Sequence, residues 1–382
     1  MRSRQYLRGF SFMIRHKARS SVSSFAVMSA AFVLALAISG PAAAFSFGKK
    51  QKEEPPPVQR QPAVEAELPV GPPVLADYVV RQASAYATYM RHASAISSAF
   101  PDGPSVGAAL RIGAHSEQHQ LQQGVVAYAA IMALQDPTFV AAVRAYATHA
   151  SSRDQMVGYI LANPGYVMTL NGHDTAAGLI VATLNGQAAR LAAAGDKVKQ
   201  MSLDIQLKAA WSKKPVPNPD QRLLEVKQLS AAPIPVDDDL RAQLLQAETG
   251  ALSVAASGPA VAPPYSQAVV RGMALAALSI LGRAGEDNMD YVMALLVNDT
   301  DGYCFNMSKL NLYQCLSVAR PYYEDMYCLG LHIMDDTGHC VAAQIGQPQA
   351  ITPDSPVIAA ATPINAGRSL SGDPIPTAAR AR

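Results

Sequence analysis

Cys304, Cys315, Cys328 and Cys340 are the chain's only cysteines. Thiols offer three chemistries: nucleophilic attack, zinc ligation and disulfide pairing. A nucleophile needs a histidine or basic group to activate it, and no spacing in the sequence assigns one. Zinc ligation together with His332 and His339 lacks the close Cys-x-x-Cys pair common in structural zinc sites. An even set of cysteines in an exported chain points instead to two disulfides. Positions 304 and 340, like 315 and 328, are equidistant from residues 321 to 322, and Pro321 suits the start of a new helix. Nested bonds, Cys304 to Cys340 outside Cys315 to Cys328, would tie an antiparallel helical hairpin over residues 304–340. Pairing neighbours instead spans 11 or 12 residues, which on a continuous helix is roughly 16–18 Å against a disulfide reach of about 7 Å. That alternative needs Cys304 and Cys340 in loops, for which the turn-like "NDTDG" and "DDTG" make room. Nested pairing is the expectation, with the neighbouring and crossed connectivities left open.

Three other groups could carry chemistry. His115 and His119 in "HSEQH" are four apart, the spacing of two metal ligands on one helix face. Glu117 does not directly follow the first histidine, as a zinc protease requires, and no third ligand is identifiable, so a solvated polar face is the expectation and no metal is assigned. Asp299, Asp301 and Gly302 suggest a calcium loop, but its first and twelfth positions would be Val297 and Ser308, where carboxylates are required. "RPYYEDMY" clusters Tyr322, Tyr323 and Tyr327 with Glu324 and Asp325. The tyrosines could line a groove for a peptide or glycan, or cover a helix interface. Carboxylates early in a helix suit the positive end of its dipole without any catalytic role. A phosphate loop, a dinucleotide fingerprint and a Gly-x-Ser-x-Gly elbow are all missing, so no cofactor is expected.

The N-terminus addresses the compartment. Residues 1–44 hold six basic and no acidic residues, then the apolar "FAVMSAAFVLALAI" and the small-residue site Ala42 to Ala44. This pattern predicts a secretory signal peptide cut before Phe45, with a retained membrane anchor as the alternative, and hence a periplasmic or secreted protein. The whole chain has 31 Lys+Arg against 29 Asp+Glu, but without the leader the balance turns acidic, 25 against 29. An acidic chain without a basic stripe has no electrostatic reason to bind nucleic acid. Residues 45–73 and 346–382 are proline-rich and lack apolar periodicity, which reads as a linker and a disordered tail.

Between them, residues 74–345 show apolar recurrence at helical spacing, so the fold class is all-α, a multi-helix bundle or tandem helical hairpins. Helices are expected over about 74–99, 106–134, 138–149, 153–162, 174–210, 238–249, 266–282, 286–297, 308–319 and 321–334. Ser266 is a cap candidate, Gly282 a stop, and Asp237, Asp238 and Asp239 an acidic helix opening. "LQDPTFV" and "LANPGYV" resemble each other as helix starts. Positions 180, 184, 187, 191, 194, 198, 201 and 205 are apolar except Gln187, a 3.5-residue stripe for intramolecular packing or for self-association. The expected role is a non-catalytic interaction or scaffold protein of the cell envelope with a protein or glycan partner. The alternative is an envelope hydrolase or metal-binding protein using Glu324 and Asp325 or His115 and His119.

Overall fold

The computed structural model describes residues 66–247, 258–297 and 302–346. The expected leader, most of the linker and all but the first residue of the expected tail lie outside them. The described chain is all-α: thirteen α-helices and no strand. They are α1 (Asp77–Ser94), α2 (Gly103–Ala114), α3 (Gln118–Ala133), α4 (Pro137–Ala147), α5 (Ala150–Ala162), α6 (His173–Lys208) and α7 (Pro219–Leu229). There follow α8 (Asp238–Ala247), α9 (Gln267–Ile280), α10 (Met289–Leu296), α11 (Tyr303–Val318), α12 (Tyr322–Cys328) and α13 (Asp336–Gln344).

Local chemistry sets many of these boundaries. The Asp136 carboxylate accepts from the Phe139 N–H at 2.7 Å with Pro137 at the first helical position, and Asp102 with Ser105 forms a reciprocal capping box. Asn163 uses the same chemistry, accepting from the Gly165 N–H at 3.0 Å, but starts a short 3-10 turn (Pro164–Thr169) rather than an α-helix. Ser266 caps α9. Gly282, at φ 68°, ends it: its own N–H bonds the Ser279 carbonyl, and the Arg283 N–H reaches the Leu278 carbonyl at 2.7 Å. This is a Schellman closure, and its left-handed residue favours glycine.

Three expectations need correction. The helix expected over 106–134 is two, because His115 leaves helical geometry and Glu117 caps α3 by accepting from the Gln120 N–H at 2.8 Å. Helix α7, in a segment expected to be loop, begins at Pro219 directly after Asn218. The arm expected to end near 334 continues through a π-helical turn, Leu329–Asp335, into α13.

Helix α3, buried along most of its length, packs against α1, α6 and α9. The 36-residue α6, about 54 Å long at 1.5 Å per residue, runs from this group to the C-terminal hairpin. Its alternating stripe packs within its own chain, with Ile180, Leu184, Leu191, Val198 and Ile205 all buried. Gly195 does not break the rod. It lets the π turn approach: a Cβ there would fall 2.5 Å from the Gly330 carbonyl oxygen, and one at Gly330 would fall 2.7 Å from the Gly195 oxygen. The π turn redirects carbonyls at its centre, which side chains satisfy. The Tyr89 hydroxyl donates to the Ile333 carbonyl at 2.9 Å and the Ser308 hydroxyl to that of His332 at 2.5 Å. Gly195→Ala is expected to lower stability by about 1–3 kcal/mol despite alanine's better helix propensity, because the obstructing atoms are backbone and cannot rotate away. Urea titration of both chains would check the sign.

The two disulfides are nested. Cys304 pairs with Cys340 at a Cα–Cα distance of 5.5 Å, and Cys315 with Cys328 at 5.8 Å. The first ties the start of α11 to α13, and the second ties the last turn of α11 to the end of α12. The hairpin anticipated around Pro321 is therefore present.

Candidate functional site

The inner disulfide forms part of a surface groove of about 490 Å³ between the C-terminal part of α6, the end of α11 and α12. Large apolar groups stand exposed along it: Leu203 on α6, Val318 at the last residue of α11 and Tyr327 on α12, with relative exposures of 51%, 73% and 39%. Tyr323 lies one turn before Tyr327 on the same face. The groove's main polar groups are engaged locally. Glu324 accepts from the Arg320 N–H at 2.7 Å and from the Tyr323 hydroxyl at 3.3 Å, and Gln206 donates to the Ser202 carbonyl at 3.2 Å. What the groove offers a ligand is therefore aromatic and aliphatic surface more than unmet hydrogen bonds.

Tyr322 is not in this groove. A helix rotates about 100° per residue, so Tyr322 and Asp325, three apart, line a different cavity of about 250 Å³ beside α2 and α7. The Tyr322 ring meets Trp211 edge-on at 6.3 Å and occupies the space that a side chain at Gly103 would need. Asp325 is buried in an ion pair with Arg222, which also donates to the Leu316 carbonyl. Burial pushes the Asp325 carboxyl up to about 6 against the downward pull of Arg222. Glu324 and Asp325 therefore serve different faces of α12 and form no acid pair.

The histidines are also separated from one another. His115 follows the last residue of α2, where burial lowers its pKa, and its Nδ1 has no hydrogen-bond partner among the described residues. His119 lies in the first turn of α3, with its Nδ1 3.0 Å from the Glu117 carboxylate. Residues 115–117 are non-helical, so the one-face geometry expected of an i, i+4 pair does not form. His332 and His339 each contact an aspartate one turn away, Asp336 at 2.8 Å and Asp335 at 3.0 Å. Burial would raise the Asp335 carboxyl, but His339 and Lys199 outweigh it and hold it low. Among the described residues no group of three or more His, Cys, Asp or Glu is arranged to hold a metal.

Sequence reasoning missed Leu203 and Val318. The available signal was that Leu203 and Leu207, four apart, fall off the buried α6 stripe and form a second apolar line facing outward. In comparisons with known proteins, no family model matches the chain, and no curated protein or solved structure shows significant similarity to it.

Proposed function

We propose that this chain is an exported, non-catalytic binding protein of the periplasm or cell envelope, and that the Tyr323/Tyr327 groove holds an apolar segment of a partner polypeptide. The observation that carries the reading is the distribution of chemistry. Of the groups an enzyme would have to gather, Glu324 and Asp325 serve different faces of α12 and are engaged there, His119 contacts Glu117, and His115 follows α2 without sharing a helix face with His119. The groove, in contrast, concentrates exposed apolar side chains. A glycan would need free donors and acceptors to replace its hydration, and Glu324 and Gln206 are already committed. An apolar peptide needs surface to cover, which the groove has. Export is supported by the basic, apolar and small-residue succession of residues 1–44. The pairing of all four cysteines also favours it, since disulfides persist in oxidising compartments.

The test is site-specific photo-crosslinking in the native envelope. A benzophenone amino acid replaces Tyr327, and in a second chain Tyr146 on α4, which is equally exposed at 39%. The expected result is one discrete polypeptide adduct from position 327 and none of that size from position 146, with the adduct lost on adding Leu203→Asp. Identical adducts from both positions, or none from position 327, would overturn the reading.

A further inference from the structure

The polar chemistry that the Tyr323/Tyr327 groove lacks is gathered elsewhere, in a cleft of about 280 Å³ between the first turns of α3 and α11. Gln118, His119, Gln122 and Gln123 line it from α3, and Tyr303 and Asn306 from α11. Helical spacing puts them there: His119, Gln122 and Gln123 stand at i, i+3 and i+4 on one helix, and Tyr303 and Asn306 at i and i+3 on the other. The two helices approach closely because residue 302 is glycine, where a Cβ would fall 2.7 Å from the Gln122 side-chain oxygen. Among the described residues, no Lys, Arg, Asp or Glu lines the cleft.

These groups are open to solvent, and several are unengaged. Tyr303 is 71% exposed and the His119 side chain 68%. Gln118 and Asn306 are half-buried, and neither side chain makes a hydrogen bond among the described residues. The Gln123 oxygen accepts from the Tyr78 hydroxyl at 2.7 Å, which orients that amide and leaves its nitrogen to donate. A lone bare ring or a lone free amide is ordinary protein surface. Here a bare tyrosine and three amides with unused hydrogen-bonding groups share one uncharged concavity. An amide presents a donor and an acceptor side by side, which suits two neighbouring hydroxyls, and the tyrosine face suits a flat array of C–H groups. A pyranose ring carries both: hydroxyls around its rim and C–H groups on its faces. Direct bonds from the amides replace the hydration that such a ring gives up on binding.

We propose that this cleft binds a neutral saccharide, with one pyranose ring stacked on Tyr303 and its hydroxyls bonded to the Gln118, Gln123 and Asn306 amides. An acidic sugar gains nothing in addition, because no Lys or Arg lines the cleft and the His119 Nδ1 already faces the Glu117 carboxylate. The site is separate from the Tyr323/Tyr327 groove and requires no partner protein.

Calorimetric titration of the full chain with two trisaccharides tests this. Tri-N-acetylchitotriose is neutral, and trigalacturonate carries a carboxylate on each ring. The expected result is saturable binding of the neutral sugar, tighter than that of the acidic one. Tyr303→Ala should weaken it about tenfold with an unchanged melting temperature, because the ring is exposed, and Tyr303→Phe should retain it, because stacking needs only the ring. Asn306→Ala should weaken it about fivefold, and Tyr146→Ala, which removes an exposed tyrosine on α4, should leave it unchanged. Absence of saturation up to about 10 mM, tighter binding of trigalacturonate, or an affinity unaffected by Tyr303→Ala would overturn the proposal.

Discussion

Replacing Cys304 and Cys340 together with alanine is expected to cost about 4 kcal/mol of stability, and replacing Cys315 and Cys328 about 3 kcal/mol. The order follows from the closed loops: the outer bond joins residues 36 apart and the inner one residues 13 apart, so the outer bond removes more freedom from the unfolded chain. The native hairpin should survive either change, because α12, the π turn and α13 are held independently by α6 and by the Tyr89 and Ser308 hydrogen bonds. Nesting also predicts non-additivity. With the inner loop closed the outer bond constrains a shorter free segment, so each pair replaced in the otherwise oxidised chain should cost somewhat less than its isolated-loop value, and removing all four cysteines should cost more than the sum of the two measured losses while staying below about 7 kcal/mol. Urea denaturation of the oxidised wild-type chain and the three variants measures each difference. A larger loss from the inner pair than from the outer would contradict the loop-closure account and indicate that the inner bond holds α11 and α12 together in the native state.

Much of this architecture is legible from residue types alone, and the places where it is not share a cause. Ser266, Gly282 and the prolines after Asp136 and Asn163 act within a few residues of themselves, so their helix starts and stops are where local chemistry puts them. The hairpin was readable because a disulfide pairing converts sequence distance into a geometric condition that only an antiparallel arrangement meets. The break after Ala114 was hidden because the apolar pattern resumes in phase past "HSEQ", and glutamate is an uncommon cap. Helix α7 was hidden by its proline-rich surroundings and by having one fully buried side chain, Val226. The groove depended on tertiary structure. Whether Leu203 is covered or bare is decided by where α11 stops, at Val318, and no window around position 203 contains that information. The separation of Tyr322 from Tyr323 and Tyr327 was in principle readable, since residues three and four apart share a helix face and adjacent ones do not.

Asp325→Ala is expected to destabilise the fold by about 3–5 kcal/mol, the usual cost of leaving a buried charge without its partner. Arg222 cannot easily escape to solvent: its side chain is 10% exposed, and its guanidinium is also held by the Leu316 carbonyl at the end of α11. Replacing both residues with apolar ones of similar length, Arg222→Met with Asp325→Leu, should recover most of that loss, because neither charge then has to be desolvated. The pair also predicts a pH dependence with a definite sign. The Asp325 carboxyl titrates at about 6 in the folded chain because burial outweighs the pull of Arg222, whereas an unfolded aspartate titrates near 3.9. A folded value above the unfolded one means that the native state binds more protons between these limits. This group's contribution therefore improves as pH falls from 7 to 4, by up to about 3 kcal/mol, and is lost as pH rises through 6. This is compatible with the cost of Asp325→Ala, since protonation leaves a carboxyl oxygen facing the guanidinium and alanine leaves nothing. Asp325→Asn cannot titrate, so the stability of the wild-type chain relative to Asp325→Asn should rise between pH 7 and pH 4. A relative stability that falls over the same interval would mean that attraction to Arg222 dominates burial, and that the pair acts as a stabilising ion pair at neutral pH.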